Sequence, residues 1–333
     1  MKRLAFAALL AFGVAAGPAA AQEVNIAHQL MFNPWKAFIV DGKFEEATGA
    51  TINFRRFDSG AKVINAMASG DIDIAVGGSS PIAAGMSRGL PMQLFWIVEN
   101  IADAEAMVVR DGSGIEKPED LKGKRIGVPF VSTTHFHTLF ALEHWGISPD
   151  EVELLNMQPN AIAAAWERGD IDAAFVWNPA LGRIKESGKV LVTSGELAAL
   201  GRATFDGMVV TNEFAEANPD FMCKFVTTMA AADEAYRSNP DAFGPDSENA
   251  KKIVSLTGGE PADVPGVLEL YEFPTMEEQA SDTWLGGGED TGAAKALRAT
   301  SEFLKEQKQI DSLLPDYSEV VTDRFVKAAI DGC

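Results

Sequence analysis

The chain has 333 residues and an acidic composition, with 28 Lys and Arg against 48 Asp and Glu and a formal net charge of −20. This balance argues against binding to nucleic acid or to anionic membrane surfaces, which both attract basic proteins. The length is too great for one comfortable core and suits two lobes. A small anionic ligand would have to be held by local dipoles and hydrogen bonds, because the overall field repels it.

The first 21 residues have the pattern of an export signal. Lys2 and Arg3 form its charged start, residues 4–16 are apolar, and three alanines ending at Ala21 form a small-residue cleavage site. The apolar stretch is too short to span a bilayer, and no later run of about 18 uncharged apolar residues follows. We therefore predict cleavage after Ala21, a periplasmic location and no direct membrane insertion.

Strands and helices alternate through the first part of the chain. This alternation predicts an α/β fold with a mostly parallel sheet flanked by helices. Asn33 and Pro34 have the pattern of a helix cap and a first helical residue, so one helix is predicted from there to residue 48. The predicted strands are 24–30, 52–57, 72–76 and 92–98, and the further helices are 61–69 and 81–88.

The alternation restarts after a strand at 106–110, where the chain is predicted to cross into a second lobe. A strand at 208–211 is predicted to cross back, and the remainder is helical and closes onto the first lobe. We therefore expect lobe 1 to comprise 22–108 and 209–333, and lobe 2 to comprise 109–208. The strands predicted within lobe 2 are 125–128, 152–156, 172–176 and 190–193.

The four-residue phrase Gly-Asp-Ile-Asp occurs at 70–73 and again at 169–172. Each copy follows an apolar-periodic helix and opens a short apolar strand, which ends in a small turn closed by proline. Duplication of a supersecondary unit explains the match, and chance is the alternative. Two similar halves whose strands end in matched turns predict two lobes that face each other across a ligand cleft.

Two strand ends carry hydroxyl-rich turns that are candidates for binding an anion. Ser79 and Ser80 precede a proline, and this pattern predicts a helix start with Ser80 as its cap. Thr133 and Thr134 follow the strand at 125–128 in the other lobe. Free N–H groups of a first helical turn bind anions, although ordinary capping is the alternative for either turn. Together the turns predict a pocket for a weakly basic tetrahedral anion such as a sulfonate.

Three further residues are candidates for the opposite end of a ligand. Trp177 ends the second repeat strand, where its indole would form a cleft wall and a cation–π contact. Asp206 and Glu105 each come just before a predicted crossing strand, and a carboxylate there would hold an ammonium group. The alternative is a packed core tryptophan and two solvated hinge carboxylates.

Motifs for catalysis or metal binding are not found in the sequence, which has no HExxH, GxSxG, Walker loop or cysteine pair. His135 and His137 alternate beside a hydroxyl turn, but without a nearby carboxylate or thiol they make a weak metal site. We therefore predict no cofactor, no metal and no enzymatic activity. The alternative is an enzyme on the same scaffold, with His135 beside Thr133 as the candidate pair.

Cys223 and Cys333 are the two cysteines of the chain. In an oxidising compartment, one disulfide that holds the C-terminal tail is the economical interpretation. It would close a loop of about 110 residues and constrain the unfolded chain by roughly 4–5 kcal/mol in the chain-entropy model. The alternative is a buried Cys223 and a free Cys333.

A set of motifs spread over nearly the whole chain after residue 21 matches a known family. They lie at 56–61, 70–73, 78–81, 127–135, 164–172, 177–180, 206 and 316–326. On these motifs the chain resembles the periplasmic substrate-binding proteins that serve ABC importers of taurine, alkanesulfonates and nitrate-like anions. The resemblance implies a type II periplasmic-binding-protein fold, in which two α/β lobes joined by two crossing strands close on a ligand.

The resemblance also implies roles for the candidate residues. Ser80, Thr133 and Thr134 would hold a sulfonate with Ser79 beside them, Asp206 with Glu105 and Trp177 would hold an ammonium group, and Gln29 would line the cleft. Gly207 stands where the family has a bulkier residue, which implies a roomier amine side. The implied function is a receptor that delivers taurine or a similar aminosulfonate to an ABC permease, and a monomer is the default for a protein that must dock on a transporter and hinge. A receptor for an alkanesulfonate or nitrate is the alternative.

Overall fold

The computed structural model describes residues 22–333, so the predicted export signal lies outside the described residues. Among the described helices, none combines the length and the apolar character that a membrane crossing requires. Between residues 22 and 333 the chain forms ten strands. They are β1 (Glu23–His28), β2 (Thr51–Arg56), β3 (Ile74–Gly78), β4 (Met92–Asn100), β5 (Glu105–Arg110), β6 (Arg125–Val128), β7 (Glu153–Asn156), β8 (Ala173–Trp177), β9 (Gly188–Thr193) and β10 (Phe205–Thr211).

The same residues form fifteen α-helices around these strands. They are α1 (Trp35–Val40), α2 (Lys43–Thr48), α3 (Gly60–Ala68), α4 (Ser79–Ser87), α5 (Thr133–His144), α6 (Pro159–Arg168), α7 (Ala180–Lys185), α8 (Ser194–Ala199), α9 (Asn212–Ala217), α10 (Pro219–Ser238), α11 (Glu248–Thr257), α12 (Val264–Leu268), α13 (Met276–Ala280), α14 (Gly292–Glu306) and α15 (Arg324–Asp331).

The strands build two five-stranded sheets, one in each lobe. The first has the order β2-β1-β3-β10-β4, with β1, β2 and β3 parallel and β10 antiparallel to both of its neighbours. The second has the order β7-β6-β8-β5-β9, with β6, β7 and β8 parallel and β5 antiparallel to both of its neighbours. The helices after β10 pack onto the first lobe, where α14 contacts α4 and α15 contacts β4.

The two crossings between the lobes lie earlier than the sequence predicts. β5 pairs with β8 and β9 along its length and so belongs to the second lobe, while β10 pairs with β3 and β4 in the first. The chain therefore changes lobe at 101–104 and at 200–204, and the predicted boundaries at 108/109 and 208/209 fall inside strands. Strand propensity locates a strand, whereas its hydrogen-bonded neighbours decide its lobe. We therefore propose that the chain crosses between the lobes at 101–104 and 200–204 instead of at the predicted boundaries.

The repeated Gly-Asp-Ile-Asp phrase holds neighbouring strands together in the same way in both lobes. The backbone N–H of Asn25 donates to Asp73 Oδ2 at 2.8 Å, and that of Arg125 donates to Asp172 Oδ2 at 3.0 Å. In return, the backbone N–H groups of Asp73 and Asp172 donate to the carbonyls of Asn25 and Arg125, each at 2.9 Å. The repeat thus fixes the register of two equivalent strand pairs and lies away from the cleft.

The single helix predicted from Asn33 to residue 48 is broken in two. Gly42 has a φ of 66°, in the left-handed region that glycine adopts at no steric cost, and it separates α1 from α2. Asn33 does not cap α1, because its side-chain amide donates to Glu99 Oε1 at 2.9 Å. Tertiary contact with β4 therefore overrides the local capping pattern.

Candidate ligand-binding site

A small cavity lies between the lobes at the strand ends. Its free volume is about 10 Å³, roughly the minimum that holds one water molecule, so a ligand of a few heavy atoms requires the lobes to move apart. Lobe 1 lines it with Gln29, Met31, Gly60, Gly78, Pro81 and Asp206, and lobe 2 lines it with Glu105, Ser132, Thr133 and Trp177.

Strand register explains how residues so far apart in sequence share this cavity. In the first sheet Asp206 lies opposite Gly78 on one side and opposite Glu99 on the other. In the second sheet Glu105 lies opposite Trp177. The two rows stand at facing edges of the sheets, which is where ligands bind in open α/β folds.

Ser79 and Ser80 have buried hydroxyl oxygens that lack a hydrogen-bond partner among the described residues. α4 begins at Ser79 with Gly78 as its cap and no side-chain capping bond, so the prediction that Ser80 caps the helix is wrong. Gly78 and Pro81, on either side of the two serines, line the cavity. Neither serine is among the lining residues, but a buried hydroxyl without a partner is costly, so both hydroxyls are candidate donors for a ligand at the edge of the cavity.

The hydroxyl turn of lobe 2 is held by its own hydrogen bonds. Ser132 caps α5 by accepting the N–H of His135 at 3.0 Å and donates to the carbonyl of Pro129 at 2.6 Å. Thr134 Oγ1 lies 2.8 Å from Ser132 Oγ, and Thr133 Oγ1 donates to Glu105 Oε1 at 2.6 Å. The backbone N–H groups of Thr133 and Thr134 have no acceptor within the helix, so they remain available at the positive end of α5.

Backbone strain accompanies this turn. Val131 has a φ of 61°, a left-handed conformation that a β-branched residue rarely adopts. Its N–H donates to His135 Nδ1 at 3.2 Å, and the His135 ring stacks on Phe130 with a centroid separation of 4.4 Å. Burial lowers the pKa of His135 to about 4, so the ring is neutral and accepts this bond. His135 therefore supports the turn and is not among the residues that line the cavity.

Two carboxyl groups of the cavity come from opposite lobes. Glu105 accepts from Thr133 and, at 3.2 Å, from Ser194 Oγ, and burial raises its pKa to about 8. Burial also raises the pKa of Asp206, to about 6, against the opposing effects of Glu99 and Lys36. At neutral pH Glu105 is therefore mostly protonated and Asp206 mostly ionised, which gives the site one net negative charge from this pair.

Glu99 and Lys36 form a buried layer behind Asp206 that the sequence analysis missed. Burial, and after it the nearby Asp206, raises the pKa of Glu99 well above the usual range, so Glu99 stays protonated. Its O–H then donates a hydrogen bond to the Asp206 carboxylate. Lys36 Nζ donates to the carbonyl of Gln29 at 2.6 Å and lies 2.9 Å from His28 Nδ1. No local signal marks either residue, because each belongs to an ordinary strand or helix pattern.

The remaining predicted site residues have clear positions. Trp177 lines the cavity, and its buried indole N–H has no partner among the described residues. Gln29 also lines the cavity and donates from Nε2 to the carbonyl of Val76 at 3.3 Å. Gly207 packs in the core instead, because a Cβ there would lie 2.5 Å from Leu94 Cδ1. The predicted roomier amine side is therefore wrong.

Gly78 lies where the two lobes approach each other closely beside the cavity. A Cβ at this position would lie 2.7 Å from Thr133 Cγ2 and 3.4 Å from Asp206 Oδ1. The glycine therefore lets the lobe 1 strand end and the lobe 2 helix start meet. The structure describes the lobes in a closed arrangement.

Two other predictions concern cysteine and metal. Cys223 in α10 and Cys333 at the C-terminus are joined by a disulfide, with their Cα atoms 5.9 Å apart. Within residues 22–333 no group of three or more His, Cys, Asp or Glu side chains is arranged to hold a metal ion.

Comparisons with known proteins agree with this architecture. The taurine-binding periplasmic protein of Escherichia coli (strain K12) is 42% identical over 320 residues, which cover 96% of this chain and 97% of that protein. The solved structure of the alkanesulfonate-binding protein SsuA from Xanthomonas axonopodis pv. citri, bound to MOPS, has a TM-score of 0.73 at 22% identity. The alignment covers 92% of this chain and 99% of that one.

The fold is also shared with an enzyme. The desulfurization enzyme DSZB has a TM-score of 0.64 at 17% identity and covers 93% of this chain and 99% of its own. The predicted two-lobed α/β fold of periplasmic binding proteins is thus confirmed, while fold alone does not decide function. A family model described as "NMT1/THI5 like" matches residues 46–243, and with this match and the 42% relative the chain belongs to the NMT1/THI5-like family.

Proposed function

We propose that this protein is the periplasmic substrate-binding protein of an ABC importer and that it binds taurine or a similar small aminosulfonate. One observation carries the proposal: a small cavity between the lobes is lined by Asp206, Glu105, Thr133 and Trp177, and the buried Ser79 and Ser80 hydroxyls beside it lack partners among the described residues. The relatives named for taurine and for alkanesulfonate support the same ligand class. The protein delivers its ligand unchanged to a membrane permease, and we propose that it acts as a monomer.

The donors suit a sulfonate because this group is weakly basic and accepts hydrogen bonds in several directions. Ser79 and Ser80 offer hydroxyl groups, and Thr133 and Thr134 offer backbone N–H groups at the positive end of α5. Gln29 lines the cavity beside them. Charge-assisted hydrogen bonds of this kind are roughly twice as strong as neutral ones, so a buried site with these donors supports useful affinity.

The carboxyl side suits an ammonium group. Asp206 supplies the negative charge, and Glu105 offers a second carboxyl oxygen across the cavity. The Trp177 ring lines the cavity, where it can also make a cation–π contact with the ammonium group. The ligand's two charges are then both compensated, which a buried zwitterion requires.

The principal alternative is a receptor for a simple anion such as an alkanesulfonate or nitrate, in which Asp206 would be structural. An enzyme on the same scaffold is the second alternative, and the likeness to DSZB keeps it open at the level of fold. Its candidate base, His135, is committed to the Val131 N–H and stacked on Phe130, outside the cavity lining. This arrangement favours the receptor.

The test is a binding series with taurine, short alkanesulfonates, sulfate, nitrate and glycine betaine, measured by thermal shift and calorimetry. A ligand at 100 times its Kd adds about 2.7 kcal/mol of stability and raises Tm by a few degrees. We expect taurine to bind and Asp206→Asn to weaken it by about thirtyfold or more, because the ammonium loses its counter-charge. The exposed Asp111→Asn is the matched control.

Binding of simple sulfonates or nitrate without taurine would contradict the aminosulfonate assignment and leave a simple-anion receptor. Chemical change of taurine after long incubation, followed by NMR, would contradict the receptor role itself.

A further inference from the structure

A second cavity lies at the seam between the lobes, next to the first. It has a volume of about 190 Å³ and is lined by Arg56 at the end of β2 and by Arg183 in α7. Leu30 and Pro179 also line it, while Met31, which follows Leu30, and Trp177, two residues before Pro179, line the first cavity. We call this second cavity the vestibule.

The vestibule is electropositive although the chain as a whole is acidic. No carboxylate is among its lining residues. The Arg56 and Arg183 side chains are exposed and form no ion pair within residues 22–333. The arginine ion pairs of that part of the chain involve Arg110, Arg125, Arg168 and Arg237.

A helix start adds to this positive character. Asn160, the second residue of the ten-residue helix α6, lines the vestibule. Gln158, the N-cap residue of this helix, makes no side-chain capping bond. The N–H groups of a first helical turn carry partial positive charge toward such a position. Two guanidinium groups and a helix start therefore converge on one space.

The lobes meet directly beside the vestibule. A Cβ at Gly259 would lie 2.9 Å from Phe32 Cζ of lobe 1 and 3.2 Å from Pro179 Cβ of lobe 2. Since Arg56 belongs to lobe 1 and Arg183 to lobe 2, closing the lobes brings two like charges to one cavity. Both side chains are exposed, so water and salt screen their repulsion, but a negative group bound between them would contact both lobes. An anion in the vestibule would therefore favour the closed form.

We propose that the vestibule is a second oxyanion site, in which Arg56 and Arg183 bind a small sulfonate- or sulfate-type group across the lobe seam. The group has two sources: the sulfonate of an incoming ligand on its way to the inner cavity, or a free inorganic anion that stays while the inner cavity is filled. The first source rests on the proposed function, and the second does not.

The first experiment detects the free anion. Taurine at saturation fills the inner cavity, and millimolar sulfate is then added at constant ionic strength. We expect sulfate to raise Tm by about 1–2 °C in the wild type and in Arg55→Gln, but not in the double variant Arg56→Gln/Arg183→Gln. Arg55 is the matched control, because it is the preceding residue of β2 and donates instead to the carbonyl of Asp71.

The second experiment detects capture of the ligand's own sulfonate. The association rate of taurine is followed by stopped-flow tryptophan fluorescence at low and high salt. We expect the double variant to associate about tenfold more slowly at low salt and to lose most of the salt dependence, with Arg55→Gln unchanged.

Loss of either effect in the double variant supports the site and identifies the source of the anion. Wild-type behaviour of the double variant in both experiments would overturn the proposal. If taurine itself gives no Tm rise in the wild type, the proposed function fails instead. In that case sulfate is titrated into the ligand-free wild type and the ligand-free double variant. A Tm rise in the wild type alone would support the vestibule site, and equal behaviour of the two would contradict it.

Discussion

The two hydroxyl turns that face each other across the cleft look alike in sequence but differ in structure. In lobe 2 the hydroxyls of Ser132, Thr133 and Thr134 are all engaged within the protein. In lobe 1 the hydroxyls of Ser79 and Ser80 are buried and lack partners among the described residues. One turn is thus complete without a ligand, and the other is completed by it. Equivalent motifs on two lobes therefore need not have equivalent roles.

The largest effect should come from separating the two turns. Gly78→Ala places a methyl group 2.7 Å from Thr133 Cγ2, so the closed arrangement becomes strained. We expect ligand affinity to fall by about ten- to a hundredfold. Gly77→Ala is the matched control, since its Cβ would meet ordinary contacts at 3.7 and 3.9 Å. Calorimetric titration of both variants measures the difference, and equal affinities would show that the turns do not need this approach.

Removing one hydroxyl from each turn should give opposite results. Ser80→Ala deletes an unpartnered buried group, so we expect unchanged or slightly higher stability and about tenfold weaker binding. Thr134→Ala deletes a bond to Ser132, so we expect a loss of about 1 kcal/mol in the free energy of unfolding. Its ligand contact through the backbone N–H survives. Urea unfolding and ligand titration of both variants test this, and similar losses of stability would contradict the comparison.

The carboxyl group of lobe 1 should make binding sensitive to acid. The pKa of Asp206 is about 6, so protonation below that pH removes the counter-charge of an ammonium ligand. We expect taurine affinity to fall by up to about tenfold per pH unit below 6. A plain alkanesulfonate should change much less. Calorimetry at pH 5, 6 and 7.5 makes the measurement, and a flat taurine profile would place the ammonium elsewhere.

The carboxyl group of lobe 2 should act on stability instead. Glu105 has a folded pKa of about 8 against an ordinary 4.5, so between these values the folded state holds more protons than the unfolded state. Its contribution therefore favours the folded state at low pH and is lost as pH rises toward 8. We expect the Tm of wild type minus that of Glu105→Gln to decrease steadily from pH 5 to pH 8. The exposed Glu119→Gln should show no such trend.

The smallest effect concerns the strain in the lobe 2 turn. Val131→Asn replaces a β-branched residue at a φ of 61° by one that tolerates this conformation. We expect stability to rise by up to about 1 kcal/mol, with affinity changed less than threefold. Urea unfolding tests the first part. A clear loss of stability would show that packing of the valine outweighs its strain.

Much of the fold could be predicted from local patterns. The alternation of strands and helices and the repeated Gly-Asp-Ile-Asp phrase both led to two α/β lobes, because hydrophobic period and turn chemistry are written in neighbouring residues. The repeat shows why this works, since Asp73 and Asp172 make the same backbone bonds to Asn25 and Arg125. Patterns that depend on distant partners failed, as the lobe assignment of β5 and the cap assigned to Asn33 show.

The candidate site likewise has some features that the sequence predicts and others that only the fold decides. The sequence by itself determined which strand ends carry hydroxyl and carboxyl groups, because those groups directly follow or precede predicted strands. Tertiary structure decided that the Ser80 hydroxyl has no partner within residues 22–333 while that of Thr133 is hydrogen-bonded. It also decided that Glu99 and Lys36 lie behind Asp206 and that Gly78 meets Thr133. The physical reason is that hydrogen-bond satisfaction, burial and pKa depend on groups brought together from distant parts of the chain, and no local pattern encodes them.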